Sequence, residues 1–176
     1  MANYRRAFVE NSYLFLTVVT FNRCPILISH IDLLKESFHQ SQQFFDYQII
    51  GLVILPEHFH IIIKPKINHE YPRIMMSIKY HFSKNFKPSE ILIDSYIKKR
   101  EKGVWQRRYW EHTIRNQDDL NRHLDYIHYN PVKHKLVSAV EDWKYSTFFE
   151  YLKRGYYEPH WGCTDDVTHI SELNFE

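Results

Sequence analysis

Runs of apolar residues along the chain predict four β-strands. Three of the runs are rich in β-branched and aromatic side chains: residues 13–21 (YLFLTVVTF), residues 47–55 (YQIIGLVIL), and the run that follows Pro56 and Glu57 (HFHIIIK). Residues 104–114 (VWQRRYWEHTI) also have a strand-like composition. Only Pro56 and Glu57 separate the second run from the third, so these two strands are predicted to be antiparallel neighbours.

Apolar residues at helical spacing predict helices between these strands and after them. The first two helices are predicted at residues 31–45 and 73–86, and residues 88–103 form an excursion with no clear period. The next helix is predicted at residues 116–130, because Asn116 can cap it, acidic residues follow in its first turn, and Pro131 is expected to stop it. A last helix is predicted at residues 143–154.

The order strand, helix, strand, strand, helix, strand defines a βαββαβ unit. This order predicts an α+β, ferredoxin-like fold, with an antiparallel sheet, helices on one of its faces, and a C-terminal helical extension. A chain of 176 residues is long enough for one domain with a substantial core, and no interior linker divides it. We therefore expect a single domain spanning residues 1–176.

The amino-acid composition indicates in which cellular compartment the protein is expected to act. With 44% hydrophobic and 25% charged residues the chain resembles an ordinary globular protein, and no apolar run approaches 18 residues, so no membrane contact is expected. Cys24 and Cys163 do not form a CxxC pair, which argues against a disulfide scaffold and favours a cytoplasmic location. The net charge is only +2, but basic residues cluster locally, for example at Arg107 and Arg108.

Two histidines open the third predicted strand. Residues i and i+2 of a strand share a face, so the imidazoles of His58 and His60 lie side by side, while Phe59 points the other way into a core. Two parallel imidazoles on a rigid strand are half of a site for a divalent metal. The alternative is that both histidines are ordinary polar residues on a partly exposed sheet face.

A second pair of polar side chains lies on the helix predicted at residues 116–130. Tyr126 and Asn130 are four residues apart, so they lie about a turn apart on one helix face. A phenol has a pKa near ~10 and is a poor nucleophile unless its negative charge is stabilised. Asn130 offers a neutral oxygen suited to Mg²⁺ or Mn²⁺. The alternative is that Tyr126 packs in the core and Asn130 only caps the helix.

The chain resembles a known family at these positions. His58-Phe59-His60 resembles the HUH motif (histidine, bulky hydrophobic residue, histidine) of the single-tyrosine transposases, and residues 125–134 (DYIHYNPVKH) resemble the tyrosine motif of their REP-associated branch. Further similar stretches are residues 4–6, 55–58, 105–115, 142–143 and 145–147, in the same order. The similarity covers a core of about residues 4–155, leaving residues 156–176 as a tail. Lys135 departs from the pattern, because a Gly often follows the Lys–His pair.

The resemblance implies a metal-dependent nuclease and strand transferase that acts on single-stranded DNA beside a hairpin, such as a REP-like element. Tyr126 would attack the scissile phosphate, forming a 5′-phosphotyrosine bond and releasing a 3′-OH. His58, His60 and Asn130 would hold Mg²⁺ or Mn²⁺. The protein would act in the cytoplasm, associated with the nucleoid, as a monomer or a homodimer.

Basic and aromatic residues near the predicted site are candidate DNA contacts. Cations commonly follow the phosphates of single-stranded DNA, and aromatic rings stack on its bases. The candidate cations are Arg5, Arg6, Arg107, Arg108 and Arg115, the last three of which flank Trp105 and Trp110. The alternative is that these arginines form a solvated edge and the tryptophans fill the core. His112 and His128 are predicted to be surface or packing residues.

Two other functions are compatible with the sequence. One is a ferredoxin-like nucleic-acid binder of the same ancestry whose catalysis is dispensable. The other is a zinc-dependent hydrolase built on His58 and His60, which would need a third strong ligand and a zinc-bound water.

Overall fold

An antiparallel sheet of four strands organises the described part of the chain. The computed structural model describes residues 9–87, 103–163 and 170. The strands are β1 (Leu14–Val19), β2 (Tyr47–Ile54), β3 (His58–Pro65) and β4 (Trp110–Thr113), in the order β2-β3-β1-β4. Every neighbouring pair is antiparallel, and β2 and β3 are adjacent as their short connection predicts. The predicted ferredoxin-like α+β fold is confirmed.

Two helices cover one face of this sheet. α1 (Ile31–Gln42) and α2 (Tyr71–Asn85) follow β1 and β3. Alternate residues of the strands, such as Leu16, Phe59 and Ile61, are fully buried in the core cluster that includes Leu34 of α1 and Ile78 of α2. These helices match the predicted pattern, because their apolar residues recur at helical spacing and pack against the alternating apolar face of the strands.

A third helix, α3 (Gln117–Lys133), packs on the opposite face. The stripe predicted from the sequence, Leu120, Leu124 and Ile127, is buried in a second core cluster that includes Phe15 of β1 and Ile62 of β3. Gly51 of β2 permits this packing, because a Cβ built there would lie 2.7 Å from Cδ2 of Leu124. The sheet therefore has a helical layer on each face, with α3 on the face opposite to α1 and α2.

The start of α3 follows the prediction, but its end does not. Asn116 caps the helix, with its side-chain oxygen accepting a hydrogen bond from the amide of Asp119 at 2.9 Å. The prediction that Pro131 ends the helix is wrong, because α3 continues to Lys133. Pro131 is buried, and the packing of this last turn compensates for the helix hydrogen bond that a proline cannot donate.

A left-handed residue closes α3 instead. Lys135 has φ 58°, and two hydrogen bonds complete the end of the helix: Leu136 N to Pro131 O at 2.9 Å and Lys135 N to Val132 O at 2.9 Å. These are the two bonds of a Schellman motif, which usually has Gly at the left-handed position. Lys135 therefore occupies a position at which Gly would be the conformationally favoured residue.

The predicted last helix is shorter than expected. α4 spans only Phe148–Lys153, and residues 143–147 lie beside β2, with an isolated antiparallel bridge between Ser146 and Val53. Ile54 N donates to Tyr145 O at 2.9 Å, and Thr147 N donates to Leu52 O at 2.9 Å. The exposed edge of β2 offers these hydrogen bonds, and they outweigh the helical preference of the segment.

The strand predicted at residues 104–114 is also shorter, because β4 covers only Trp110–Thr113. The earlier residues pair with the end of β1 and the residues that follow it, through an isolated bridge between Thr20 and Trp105 and a hydrogen bond from Gln106 N to Val19 O at 2.9 Å. The excursion predicted for residues 88–103 lies, apart from Gly103, outside the described residues. Among the helices in the described ranges, none combines the length and the apolar character needed to cross a membrane.

Replacing Lys135 with glycine is expected to stabilise the protein. A residue with a Cβ is strained at φ 58°, so Lys135→Gly should raise the free energy of unfolding by up to about 1 kcal/mol, measured from urea-unfolding curves. Lys144→Gly is the matched control, because it makes the same chemical change outside the left-handed region and should lower stability. A loss of stability in Lys135→Gly would contradict this account of the helix end.

Candidate active site

The two histidines of β3 lie with their ring nitrogens close together. His58 and His60 are both fully buried, and their Nε2 atoms are 3.2 Å apart. The other nitrogen of each ring also has a partner: His58 Nδ1 lies 3.0 Å from Glu57 Oε1, and His60 Nδ1 lies 2.8 Å from Thr17 Oγ1. The alternative that both histidines lie on a partly exposed sheet face is therefore wrong.

These partners determine which ring nitrogens can bind a cation. A carboxylate only accepts hydrogen bonds, so His58 Nδ1 carries the proton and the lone pair of the neutral ring lies on Nε2. The hydrogen bond from His58 lowers the pKa of Glu57 below its usual value, although burial opposes this shift. The Thr17 hydroxyl can either accept from His60 Nδ1 or donate to it. When it accepts, both Nε2 atoms carry a lone pair, and these two nitrogens, 3.2 Å apart, are available to one cation.

Tyr126 of α3 lies against the same histidine pair. Its ring is fully buried, and its centroid is 5.2 Å from that of His60 at an interplanar angle of 72°. The ammonium of Lys133 lies 4.7 Å from the centroid of the Tyr126 ring. The phenol thus has an imidazole on one side and a cation close to its ring.

Asn130 and His134 extend this face of α3 by one turn and two turns. The His134 ring centroid lies 5.2 Å from that of His58, whereas Tyr126 contacts His60. Asn130 lies between the two in sequence and on the same helix face, which is the face that contacts the histidine pair. Sequence reasoning missed His134; the signal available was its spacing of eight residues from Tyr126.

The side chain of Asn130 is unusual in its hydrogen bonding. It is fully buried, and neither Oδ1 nor Nδ2 has a hydrogen-bond partner within the described ranges. A buried polar group without a partner costs on the order of 1–3 kcal/mol, so such groups usually serve a ligand or an ion.

The histidine pair and Asn130 together fit a divalent cation. The separation of 3.2 Å between the Nε2 atoms is close to the spacing of neighbouring ligands around an ion at about 2.1 Å. Asn130 adds a neutral oxygen of the kind that Mg²⁺ and Mn²⁺ accept. Glu57 and Thr17 are positioned to orient the two rings from behind, as outer partners of metal-binding histidines do.

A second group of potential metal ligands lies at the start of α3. The ligand atoms of His112, Asp119 and His123 all lie within 4.8 Å of one another. However, the two imidazoles are stacked, with centroids 4.7 Å apart and an interplanar angle of 10°. The lone pair of an imidazole lies in the ring plane, so an ion between two parallel rings is poorly placed for both.

Hydrogen bonding accounts better for this second group. Asp119 Oδ2 lies 2.8 Å from His112 Nε2 and accepts from Arg115 N at 2.9 Å. His123 Nδ1 donates to the backbone carbonyl of Asp119 at 2.7 Å and lies 3.1 Å from Asp119 Oδ1. Burial raises the pKa of Asp119, but the hydrogen bonds from His112 and Arg115 outweigh this and lower it overall. Burial lowers the pKa of His123. The group fastens the start of α3 to β4.

His128 holds the opposite side of α3. It lies two residues after Tyr126 and therefore on another helix face, and it is fully buried. Its Nδ1 lies 2.9 Å from Tyr157 Oη and its Nε2 lies 2.9 Å from Thr147 Oγ1. Burial lowers the pKa of His128 to about 3, so the ring is neutral at physiological pH. This is the packing role that the sequence predicts.

The candidate DNA contacts fall into three groups. Arg107, Arg108 and Arg115 are exposed and lie on either side of β4, whereas Arg5 and Arg6 lie outside the described residues. Trp105 is 6% exposed, and its indole nitrogen donates to Lys79 O, so it belongs to the core. Trp110 is 38% exposed. The two tryptophans therefore differ, although the sequence gives them similar surroundings.

A buried histidine pair on a central strand, facing a tyrosine and a carboxamide on a helix, is the arrangement expected of a single-tyrosine nuclease of the HUH class. Comparisons with known proteins lead to a specific family within this class. Residues 8–130 match the family described as "Transposase IS200 like".

Individual relatives narrow the family further. The REP-associated tyrosine transposase of Escherichia coli (strain K12) is 34% identical over 173 residues, covering 97% of this chain and 96% of its own length. A protein of Haemophilus influenzae, provisionally named a REP-associated tyrosine transposase, is 36% identical over 170 residues, covering 95% of this chain and 97% of its own length. A REP-associated tyrosine transposase solved with a REP hairpin is 31% identical, with a TM-score of 0.77 and 94% of each chain covered. The chain belongs to the IS200-like transposases, in their REP-associated tyrosine branch.

The buried imidazole of His128 predicts a dependence of stability on pH. Its pKa of about 3 in the folded state is below the ~6.5 of an unfolded histidine, so the unfolded state binds the extra proton as the pH falls from 6.5 to 3. The free energy of unfolding should therefore decrease as the pH is lowered from 6.5 to 3, and His128 should contribute up to about 1.4 kcal/mol of this decrease per pH unit.

Unfolding by urea at several pH values, compared between the wild type and His128→Gln, measures this contribution. The variant should show the shallower dependence. His160→Gln, which changes an exposed imidazole, should keep the wild-type slope. Equal slopes in the wild type and His128→Gln would show that His128 does not titrate in this way.

Proposed function

We propose that this transposase is a divalent-metal-dependent endonuclease and strand transferase that cuts and rejoins single-stranded DNA beside hairpins. The observation that supports the proposal is the contact between His60, which lies beside His58, and Tyr126 of α3, with the buried Asn130 one turn further along the same helix face. A relative of this chain was solved with a REP hairpin, and this supports REP-like hairpins as the DNA partner.

Tyr126 is the proposed nucleophile. Its phenol oxygen forms a bond to phosphorus as the bond between phosphorus and the 3′-oxygen breaks, leaving a 5′-phosphotyrosine link and a 3′-OH. The phenol loses one proton and the departing oxygen gains one. The phosphodiester is exchanged rather than hydrolysed, so rejoining needs no nucleotide cofactor.

The proposed ligands of Mg²⁺ or Mn²⁺ are the Nε2 atoms of His58 and His60 and the Oδ1 atom of Asn130. When bound, the ion would polarise the phosphoryl oxygens and orient the DNA backbone. Glu57 and Thr17 keep the two imidazoles in the orientation that directs Nε2 towards the ion.

Lys133 is positioned to assist the tyrosine. Its ammonium lies 4.7 Å from the centre of the Tyr126 ring, and a cation at this distance stabilises negative charge that develops on the phenol oxygen or on the phosphate beside it. The His60 ring packs against the phenol and limits its movement. Both contacts hold the nucleophile ready before DNA binds.

We propose that one chain forms the complete site. The Tyr126 ring contacts His60 of its own chain, so a monomer contains every proposed group, and a homodimer would contain two such sites. Arg107, Arg108 and Arg115, together with Arg5 and Arg6 near the N-terminus, would bind the phosphates of the DNA. The proposed location is the cytoplasm, at the nucleoid.

Substitution of Tyr126 should abolish covalent attachment to DNA. Incubation of the wild type with a labelled REP hairpin carrying single-stranded flanks, in the presence of Mn²⁺, should give an adduct that survives denaturation, and Tyr126→Phe should give none. Tyr129→Phe is the matched control, because Tyr129 is on the same helix but on another face. Adduct formation by Tyr126→Phe would refute the assignment. If the wild type binds the DNA but forms no adduct, the result would favour the alternative function, a nucleic-acid-binding protein whose catalysis is dispensable.

Loss of a proposed ligand should weaken metal binding. We expect His60→Ala and Asn130→Ala to lower the affinity for Mn²⁺ at least 10- to 100-fold, measured by titration calorimetry, because each removes one contact to the ion. His112→Ala is the control and should bind as the wild type does. Loss of Mn²⁺ affinity in His112→Ala alone would instead assign the metal to the group formed by His112, Asp119 and His123. Recovery of activity with Mg²⁺ after chelation would exclude a zinc hydrolase.

A further inference from the structure

Strand β4 carries an exposed indole on the same sheet face as the active site. Thr17 of β1 is the register partner of both Trp110 and His60, and directly opposite residues of antiparallel strands share a face. The hydrogen-bonding contact of 2.8 Å between Thr17 and His60 agrees with this placement. Neighbouring strands are about 4.8 Å apart, so Trp110 lies roughly 10 Å across the sheet from His60.

The indole is exposed but held firmly. Its ring contacts Phe15 edge-on, with centroids 5.6 Å apart, and stacks on His112, with centroids 6.0 Å apart and an interplanar angle of 16°. His112 in turn stacks on His123, and Asp119 bridges these two imidazoles. The hydrogen-bonded group of His112, Asp119 and His123 therefore fixes the position of the Trp110 ring through its stacking contact with His112. A ring fixed in this way loses little conformational entropy when a ligand binds.

Positive charge lies at both ends of β4. Arg107 and Arg108 precede the strand, Arg115 follows it, and all three are exposed. A cavity of about 520 Å³ beside the strand is lined by His112 and Arg115, among others. Glu111 also lines this cavity, but its carboxylate accepts a hydrogen bond from Tyr71 of α2 at 2.8 Å. Cations flanking an exposed aromatic ring are characteristic of surfaces that bind single-stranded nucleic acid.

We propose that Trp110 is the stacking platform for one unpaired base of the single-stranded flank, close to the scissile phosphate. This inference rests on the proposed function, because it takes single-stranded DNA as the substrate. An unpaired base fits this position better than a protein partner does, since the ring lies on the face of the active site and between phosphate-binding cations. Trp105, which is buried, takes no part.

The experiment couples a protein change to a DNA change. A REP hairpin with single-stranded flanks is prepared with one abasic position at a time, and binding is measured in a Tyr126→Phe background so that cleavage does not interfere. Trp110→Ala should weaken binding of the intact flank about 5- to 150-fold, the range known for loss of one base stack, and Trp110→Phe should lose less. Phe44→Ala, which removes an aromatic ring that is 77% exposed and remote from β4, is the matched control and should bind normally.

One flank position should show coupling. Removing the base at this position should weaken binding of the Tyr126→Phe protein by a factor similar to that caused by Trp110→Ala. The same abasic DNA should bind the protein that also carries Trp110→Ala no more weakly than the intact DNA does. Unchanged binding by Trp110→Ala, or equal abasic penalties at every position with and without the indole, would overturn the proposal.

A measurement on unsubstituted protein guards against a folding defect in the variants. Photocrosslinking with 5-iodouracil at each flank position, followed by peptide mapping, should attach the same position to Trp110. Crosslinks at every position to other residues alone would overturn the proposal. The adduct assay on Tyr126 tests the proposed function separately. If the adduct forms but no flank position is coupled to Trp110, only the stacking role of Trp110 is rejected. If one position is coupled but no adduct forms, only the catalytic role of Tyr126 is rejected.

Discussion

The close packing of α3 on the sheet at Gly51 is the contact on which the proposed active site depends. The sheet contributes His58 and His60 to this proposed site, and α3 contributes Tyr126 and Asn130, so neither element would hold the site alone. A Cβ on residue 51 would lie 2.7 Å from Cδ2 of Leu124 and 3.4 Å from Cδ1 of Ile127, so a side chain there would force these side chains of α3 to move. Catalytic groups need positioning within a fraction of an ångström, so the absence of one methyl group has a direct chemical consequence.

Polar groups buried on the two sides of α3 have different energetic roles. His128 has a hydrogen-bonding partner at each ring nitrogen, so it stabilises the fold as a neutral residue. Asn130 is equally buried, but its amide atoms have no hydrogen-bond partner among the described residues, a cost on the order of 1–3 kcal/mol to the folded protein. This cost is what is expected where a fold keeps a group ready for a ligand. The stability of α3 therefore comes from its buried apolar and aromatic side chains, its caps and His128, and not from Asn130.

Local sequence patterns predicted much of the fold, since strand alternation, helical spacing and the Asn116 cap all act over a few residues. Pro131 was misinterpreted because tertiary packing outweighed local propensity, and residues 143–147 were misinterpreted because the edge of β2 offers them hydrogen bonds. The convergence of the histidines with α3 depends on contacts between distant residues, so spacing alone could suggest two half-sites but not unite them. The register of β4 separates Trp110 from the buried Trp105, and only the assembled sheet supplies that register.

The position of a bound Mn²⁺ ion, found by anomalous X-ray scattering from crystals of the protein with a REP hairpin, tests this arrangement most directly. The ion should lie about 2.1 Å from the Nε2 atoms of His58 and His60, with Asn130 Oδ1 and a phosphate oxygen among its other ligands and the Tyr126 hydroxyl beside that phosphate. An ion bound instead by His112, Asp119 and His123, with no scattering peak at the other pair, would contradict the account.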